Sequence, residues 1–364
     1  MSGADTAPAA VVFGCAGLSL TPDEISLFRD CEPAGLILFA RNIDTPDQVR
    51  RLTDLFREIS GNGKILILID QEGGRVQRLR PPHWPEYPPM RLFGERAALD
   101  GDEAAACVAL NYRLIAADLV TLGINVNCAP VLDLPVEGSH EIIGDRAFSD
   151  DPALVSTLGQ AVCDGLLRGG VLPVIKHIPG HGRAFADSHQ ELPQVDTPVG
   201  ELRRTDFGPF LDLSGAPAGM TAHIVYSAID STCPGSSSRR IVHDTIRDEI
   251  GFDGLLFSDV VCMTALSGPP SQRVTSVLDA GCDLALHCNG NFEDMVSIAE
   301  TCPPLRPDSA ARLDSAIELI GDSAEFDRDA AKRWVIQAKW QTPVLDFSKA
   351  STKAVNLATL EYED

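Results

Sequence analysis

The stretch "KILILID", Lys64 to Asp70, decides the fold. Its apolar residues run from Ile65 to Ile69 with no polar alternation. A strand with one face in water alternates; an uninterrupted apolar run is a strand covered on both faces, as in the parallel sheets of α/β proteins. The run stops on a carboxylic acid. "QEGGRVQRLR" follows, where Gly73-Gly74 permit a tight turn and Arg75, Arg78 and Arg80 add charge. One strand thus offers a buried element and, at its carboxyl end, titratable groups.

Seven further runs share this character: "VVFGCAG" (11–17), "GLILFAR" (35–41), "INVNCAPVLD" (124–133), "LPVIKHI" (172–178), "GMTAHIVY" (219–226), "GLLFSDV" (254–260) and "CDLALHC" (282–288). Helical patterns separate them. "TPDQVRRLTDLFREIS" opens with a threonine cap and Pro46, and "DEAAACVALNYRLIAADLVTLG" ends at Gly123. Eight buried strands alternating with helices predict a single (β/α)8 TIM barrel of the α/β class over residues 1–343. A doubly wound sheet is the alternative, but no GxGxxG follows the first strand. Residues 344–364 lack periodicity and are expected to form a tail.

Composition narrows the function. Of 364 residues, 30 are basic and 52 acidic, a net charge of −22. Phosphate neutralisation needs a basic surface, so no nucleic-acid partner is expected. No run approaches the ~20 apolar residues of a membrane span. Ten cysteines are scattered without a CxxC pair, several inside apolar runs. Reduced, buried thiols fit a cytoplasmic protein, and the first residues do not read as a signal peptide.

In such a barrel chemistry gathers where strands end. The third strand ends at Asp70. The fourth ends "PVLDLP", and its loop "IIGDRAF" holds Asp145 and Arg146. The fifth releases "KHIPGHGRAFADSH", Lys176 to His189, and the sixth carries His223. The seventh places Asp259 at the rim, and the eighth ends "LHCNGN". A lone aspartate after a strand is commonly a cap or turn residue, and a lone histidine in an apolar strand is commonly a hydrogen-bonded core group. Five successive strands presenting such groups at one end make a pattern. Three chemistries could use it. A metal centre would recruit His177, His181 and His189, but their spacing is not that of HExxH. A Schiff-base aldolase would use Lys176. A retaining glycosidase would use Asp259 as nucleophile and His189, oriented by Asp187, as acid/base.

Seven stretches, "GLILFARNI", "IDQEGGRVQRL", "APVLDL", "IIGDRAF", "KHIPGHGRAFADSH", "MTAHIVY" and "GFDGLLFSD", run in order over residues 11–300 and together resemble the bacterial β-N-acetylglucosaminidases of glycoside hydrolase family three. The resemblance implies a single barrel, Asp259 as nucleophile, and His189 with Asp187 as the acid/base dyad. It also implies sugar binding by Asp70, Arg78, Arg146, Lys176 and His177. No metal is expected, since the histidines are spaced for a loop and close no tetrahedral ligand set, and no cofactor is expected. The implied substrate is a muropeptide with terminal N-acetylglucosamine, met in cytoplasmic cell-wall recycling. One departure is visible: many relatives read "FSDD", whereas Val260 follows Asp259 here. Gly180 and Gly182 are expected hinges of the loop carrying Asp187 and His189. Two alternatives accompany this reading. A non-catalytic sugar-binding protein would not need the Asp259, Asp187 and His189 trio. A phosphorylase follows if a neutral histidine base admits phosphate to the glycosyl-enzyme in place of water.

Overall fold

The computed structural model describes residues 7–61, 65–98, 100–138, 141–184, 192–263, 266–321, 326–329 and 331–332. At its centre lie parallel strands β1 (Ala9–Phe13), β2 (Pro33–Leu38), β3 (Leu66–Ile69), β4 (Val126–Asn127), β5 in two pieces (Leu172–Pro173 and Ile175–Ile178), β6 (Ala218–Thr221), β7 (Leu255–Val260) and β8 (Leu284–His287). Their hydrogen-bonded order is first piece of β5, β4, β3, β2, β1, β8, β7, β6, second piece of β5. The two ends of the sheet are therefore consecutive pieces of one strand, and the barrel closes. Val174 spans the join, its N–H lying 3.1 Å from Asn127 O and 3.0 Å from Ala129 O.

All the barrel strand residues are buried, as the apolar runs require. Two boundaries differ from the sequence reading. The fourth strand pairs regularly only at Val126–Asn127, with a single bridge from Val131 to Lys176. Pro130 has no N–H to give the ladder, so pairing lapses there. The sixth strand leaves the barrel after Thr221. Val225–Tyr226 pair instead with Gln194–Val195 in a separate small sheet.

Around the barrel lie α1 (Pro22–Cys31), α2 (Pro46–Ser60), α3 (Gly101–Val120), α4 (Pro152–Arg168), α5 (Ile241–Glu249, wound as a π-helix), α6 (Pro270–Ala280), α7 (Phe292–Ala299) and α8 (Pro307–Glu318). Two shorter helices, Val199–Arg204 and Gly208–Asp212, lie between β5 and β6. The caps are written in the sequence. Thr21 Oγ1 accepts the Glu24 N–H at 3.1 Å, and the Glu24 carboxylate accepts the Thr21 and Ala16 N–H groups, both at 2.8 Å. Thr45 and Asp151 cap α2 and α4, each followed by proline. Among the described residues no helix is long and apolar enough to cross a membrane.

The two barrel ends differ in chemistry. At the amino end of β8, buried Asp283 accepts from Arg247 at 2.8 Å, Arg312 at 3.3 Å, Ser309 at 2.6 Å and the Leu256 N–H at 2.9 Å. Asp283 is thus compensated by two guanidiniums, a structural rather than a reactive arrangement. The carboxyl ends carry the groups with reactive potential.

Candidate active site

Strands three and seven are four staves apart in an eight-stave ring, so Asp70, just past β3, and Asp259, on β7, stand on opposite sides of the barrel mouth. Lys176 on β5 reaches toward Asp70, its Nζ 2.8 Å from Asp70 Oδ1 and 2.6 Å from Glu72 Oε1. Arg78 contacts Asp70 at 3.2 Å and lies over the Phe39 ring at 5.2 Å. Arg146 grips Glu72 with two parallel hydrogen bonds of 2.8 Å. The mouth thus has one continuous network, Arg78–Asp70–Lys176–Glu72–Arg146.

Electrostatics keep this network charged. Burial alone would raise the carboxyl pKa values. For Asp70, Lys176 and Arg78 overcome that and hold it well below the usual range. For Glu72, Arg146 and Lys176 overcome it and bring the value down to about 2. Burial disfavours the Lys176 ammonium, but Asp70 and Glu72 prevail and raise its pKa. Lys176 is therefore a charged donor, and its charge state removes the basis for a Schiff-base role, which needs a neutral amine.

A second cluster lies beside the first. Asp133, in the segment that follows β4, meets His177 Nδ1 at 2.7 Å and accepts the His177 and His181 backbone N–H groups at 3.2 and 2.6 Å. Burial would raise the Asp133 pKa, but His177 and His181 lower it. Burial and the neighbouring His177 press the His181 pKa down to about 4. The His177 and His181 rings meet edge to face at 5.5 Å. Among the described residues no group of three or more His, Cys, Asp or Glu side chains is placed to hold a metal ion.

Asp259 lies on β7 within electrostatic reach of His181. Its Oδ1 accepts the Val260 N–H at 2.8 Å, and its own N–H donates to Thr221 Oγ1 at 3.2 Å. Val260 meets it through the backbone, so the departure from "FSDD" leaves this contact intact. His223 is fully buried and bonded at both ring nitrogens, as expected of a core histidine.

The loop after β5 is firmly seated over residues 178–184. Gly180 O accepts from Tyr226 Oη at 2.8 Å, and Arg183 pairs with Asp206 at 2.7 Å and Glu201 at 3.0 Å. A Cβ on Gly182 would lie 1.7 Å from Leu134 O. Close packing, rather than hinge freedom, accounts for that glycine. Asp187 and His189 lie outside the described residues.

The structure joins Asp70, Arg78, Arg146 and Lys176 in one network, holds His177 in the second cluster with Asp133, and adds two groups that had no assigned role, Glu72 and Asp133. Asp133 closes an apolar run just as Asp70 does, a signal available in the sequence. Glu72 lies two residues beyond Asp70, yet nothing local distinguishes it from a turn residue.

A (β/α)8 barrel whose mouth is lined by fixed charged donors and acceptors, with a carboxylate held opposite, is a scaffold of the class used by barrel glycoside hydrolases. The chain belongs to that class by family: residues 19–318 match the "Glycosyl hydrolase family 3 N terminal domain", and the protein is a member of glycosyl hydrolase family 3. Among curated relatives, a protein of Chromobacterium violaceum named "Beta-hexosaminidase" is 39% identical over 308 residues, 84% of this chain and 85% of the relative. One of the same name from Pseudomonas aeruginosa is 37% identical over 298 residues, 80% and 87% of the two chains. Among solved structures, NagZ from Neisseria gonorrhoeae in complex with N-trifluoroacetyl-D-glucosamine superposes with a TM-score of 0.82 at 30% identity, covering 91% of this chain and 98% of that one. NagZ from the same organism has also been solved with a zinc ion, at TM-score 0.81 and 29% identity over the same shares. Family and relatives together make this chain a glycoside hydrolase of β-N-acetylhexosaminidase type.

Proposed function

We propose that the protein is a retaining exo-β-N-acetylglucosaminidase that removes a non-reducing terminal N-acetylglucosamine from muropeptides in cytoplasmic peptidoglycan recycling. The observation supporting the chemistry is the placement of Asp259. Its carboxylate is on β7, four staves around the ring from β3 and the Asp70–Lys176–Arg78 cluster, and in this reading a sugar gripped by that cluster presents its anomeric carbon to β7.

In this reading Asp70, Arg78, Arg146, Lys176 and His177 bind or orient the sugar. Asp259 attacks the anomeric carbon as the glycosidic bond breaks, giving a glycosyl-enzyme. His189, oriented by Asp187, protonates the leaving oxygen and then takes a proton from water in the second step. The relative solved with N-trifluoroacetyl-D-glucosamine supports an N-acylated glucosamine as the sugar. Arg78, Arg146 and Lys176 are held in place by Asp70 and Glu72 as fixed hydrogen-bond donors for the sugar.

The test is turnover of an aryl N-acetyl-β-D-glucosaminide followed by NMR. The first-formed sugar should be the β-anomer, and Asp259→Ala should lose turnover by about 10⁴-fold or more while folding normally. An α-anomer formed first, or an active Asp259→Ala, would remove Asp259 from the nucleophile role. Product analysis in excess phosphate separates hydrolase from phosphorylase: free sugar alone means water is the acceptor.

A further inference from the structure

Three buried polar side chains connect β6 and its following segment to the backbone on either side of Asp259. Asp259 N–H lies 3.2 Å from Thr221 Oγ1. Thr221 Oγ1 lies 2.6 Å from Ser236 Oγ, and Ser236 Oγ lies 2.6 Å from His223 Nδ1. His223 Nε2 then lies 3.0 Å from Val260 O. The path starts at the amide of Asp259 and returns at the carbonyl of Val260.

Proton placement follows from the partners. A carbonyl only accepts, so His223 Nε2 carries the hydrogen. With the ring neutral, Nδ1 accepts from the Ser236 hydroxyl. Ser236 has then committed its proton and accepts from Thr221, and Thr221 accepts from the Asp259 N–H. In this arrangement the hydrogen bonds run in one direction from Asp259 to Val260, and rotating a member away breaks a buried hydrogen bond. All three side chains are buried.

The peptide plane between the two clamped groups is the one that matters. It contains the Val260 N–H, which donates to Asp259 Oδ1 at 2.8 Å, and the Asp259 carbonyl, which accepts from Ser258 Oγ at 2.7 Å. Fixing the planes on both sides fixes this one, and with it the carboxylate.

We propose that Thr221, Ser236 and His223 form a positioning strut that aims the Asp259 carboxylate. The inference rests on the reading of Asp259 as nucleophile. The strut meets Asp259 and Val260 only through their backbone groups, so its effect is on geometry. It acts on the bond-forming step and not on the grip of Asp70, Lys176 and Arg78 on the sugar.

The experiment compares Thr221→Val and Ser236→Ala, which break the path at different points, with Thr221→Ser, which keeps the hydroxyl. Each is assayed for kcat on an aryl N-acetylglucosaminide, for inhibition by N-acetylglucosamine, and for the rate of covalent labelling by a slow fluorinated N-acetylglucosaminide, with the labelled residue found by mass spectrometry. A misaimed nucleophile should lower kcat and the labelling rate by roughly 10- to 100-fold. The inhibition constant should stay within about twofold and Thr221→Ser should recover most of the rate, since binding groups are untouched and its hydroxyl restores the path. Unchanged kcat and labelling in folded Thr221→Val or Ser236→Ala overturn the strut. So does an inhibition constant that worsens as much as kcat, which would mean general damage. Should Thr221→Val not fold, the smaller Ser236→Ala change decides. A label on a residue other than Asp259 in the unaltered enzyme overturns the nucleophile reading itself.

Discussion

Glu72 sits between Lys176 and Arg146, bonding to both, with almost no surface of its own. Removing one partner of a buried ionic network leaves the others uncompensated, at a cost of about 3–5 kcal/mol. Glu72→Gln should therefore lower stability by about that much at pH 7 and weaken substrate binding as Lys176 and Arg146 lose their anchor. The pH dependence has a definite sign. The folded pKa of about 2 is below the ordinary glutamate value of 4.5, so the contribution is present above pH 4.5 and disappears as pH falls toward 2. Urea unfolding of both proteins should show a gap at pH 7 that narrows at pH 3; a constant gap would show that charge is not the cause. Glu72 also marks a limit of legibility at this scale. Asp70, Lys176 and Asp259 announce themselves as polar ends of apolar runs. Glu72 follows such an end in a segment rich in turn residues, and its importance arises from Arg146, 74 positions away.

At the scale of elements, strand identity was readable because parallel strands carry their burial on both faces, as the runs at 33–38, 66–69 and 255–260 show. Their ends were less so. Pro130 interrupts pairing by lacking a donor, and the stretch after Thr221 is apolar enough for the barrel yet pairs elsewhere. The glycines in "KHIPGHG" illustrate the same difficulty: a glycine selected for freedom and one selected for lack of a Cβ look identical in sequence. Gly182 is of the second kind, so Gly182→Ala should push the loop off Leu134 O. The expected result is a loss of about 1–3 kcal/mol in stability and a larger fall in kcat/KM than in any binding of N-acetylglucosamine alone. An alanine variant with normal stability and activity would return Gly182 to the role of hinge.

For the whole molecule, two buried imidazoles add to acid lability at higher pH than Glu72 does. His287 packs edge-on against Phe13 at 6.1 Å, and burial brings its pKa down to about 4, as for His181. Unfolded histidine titrates near 6.5, so between pH 6.5 and 4 the unfolded chain binds protons that the folded one refuses. Stability is intact above pH 6.5 and falls across that window, by roughly 1–2 kcal/mol per histidine at pH 5. His287→Phe keeps the aromatic packing and should lose less between pH 7 and pH 5 in thermal unfolding. An equal or steeper loss would place the acid lability elsewhere. The mouth of the barrel is also built across chain distance. Arg75 bonds to Asp145 and to the carbonyls of Glu141 and Ile142, while Glu72 holds Arg146. The two rim loops are consequently one unit of inheritance. A crossover with a relative that falls between positions 76 and 140 mates half of each contact with a stranger, whereas one beyond Ala147 passes the set on whole.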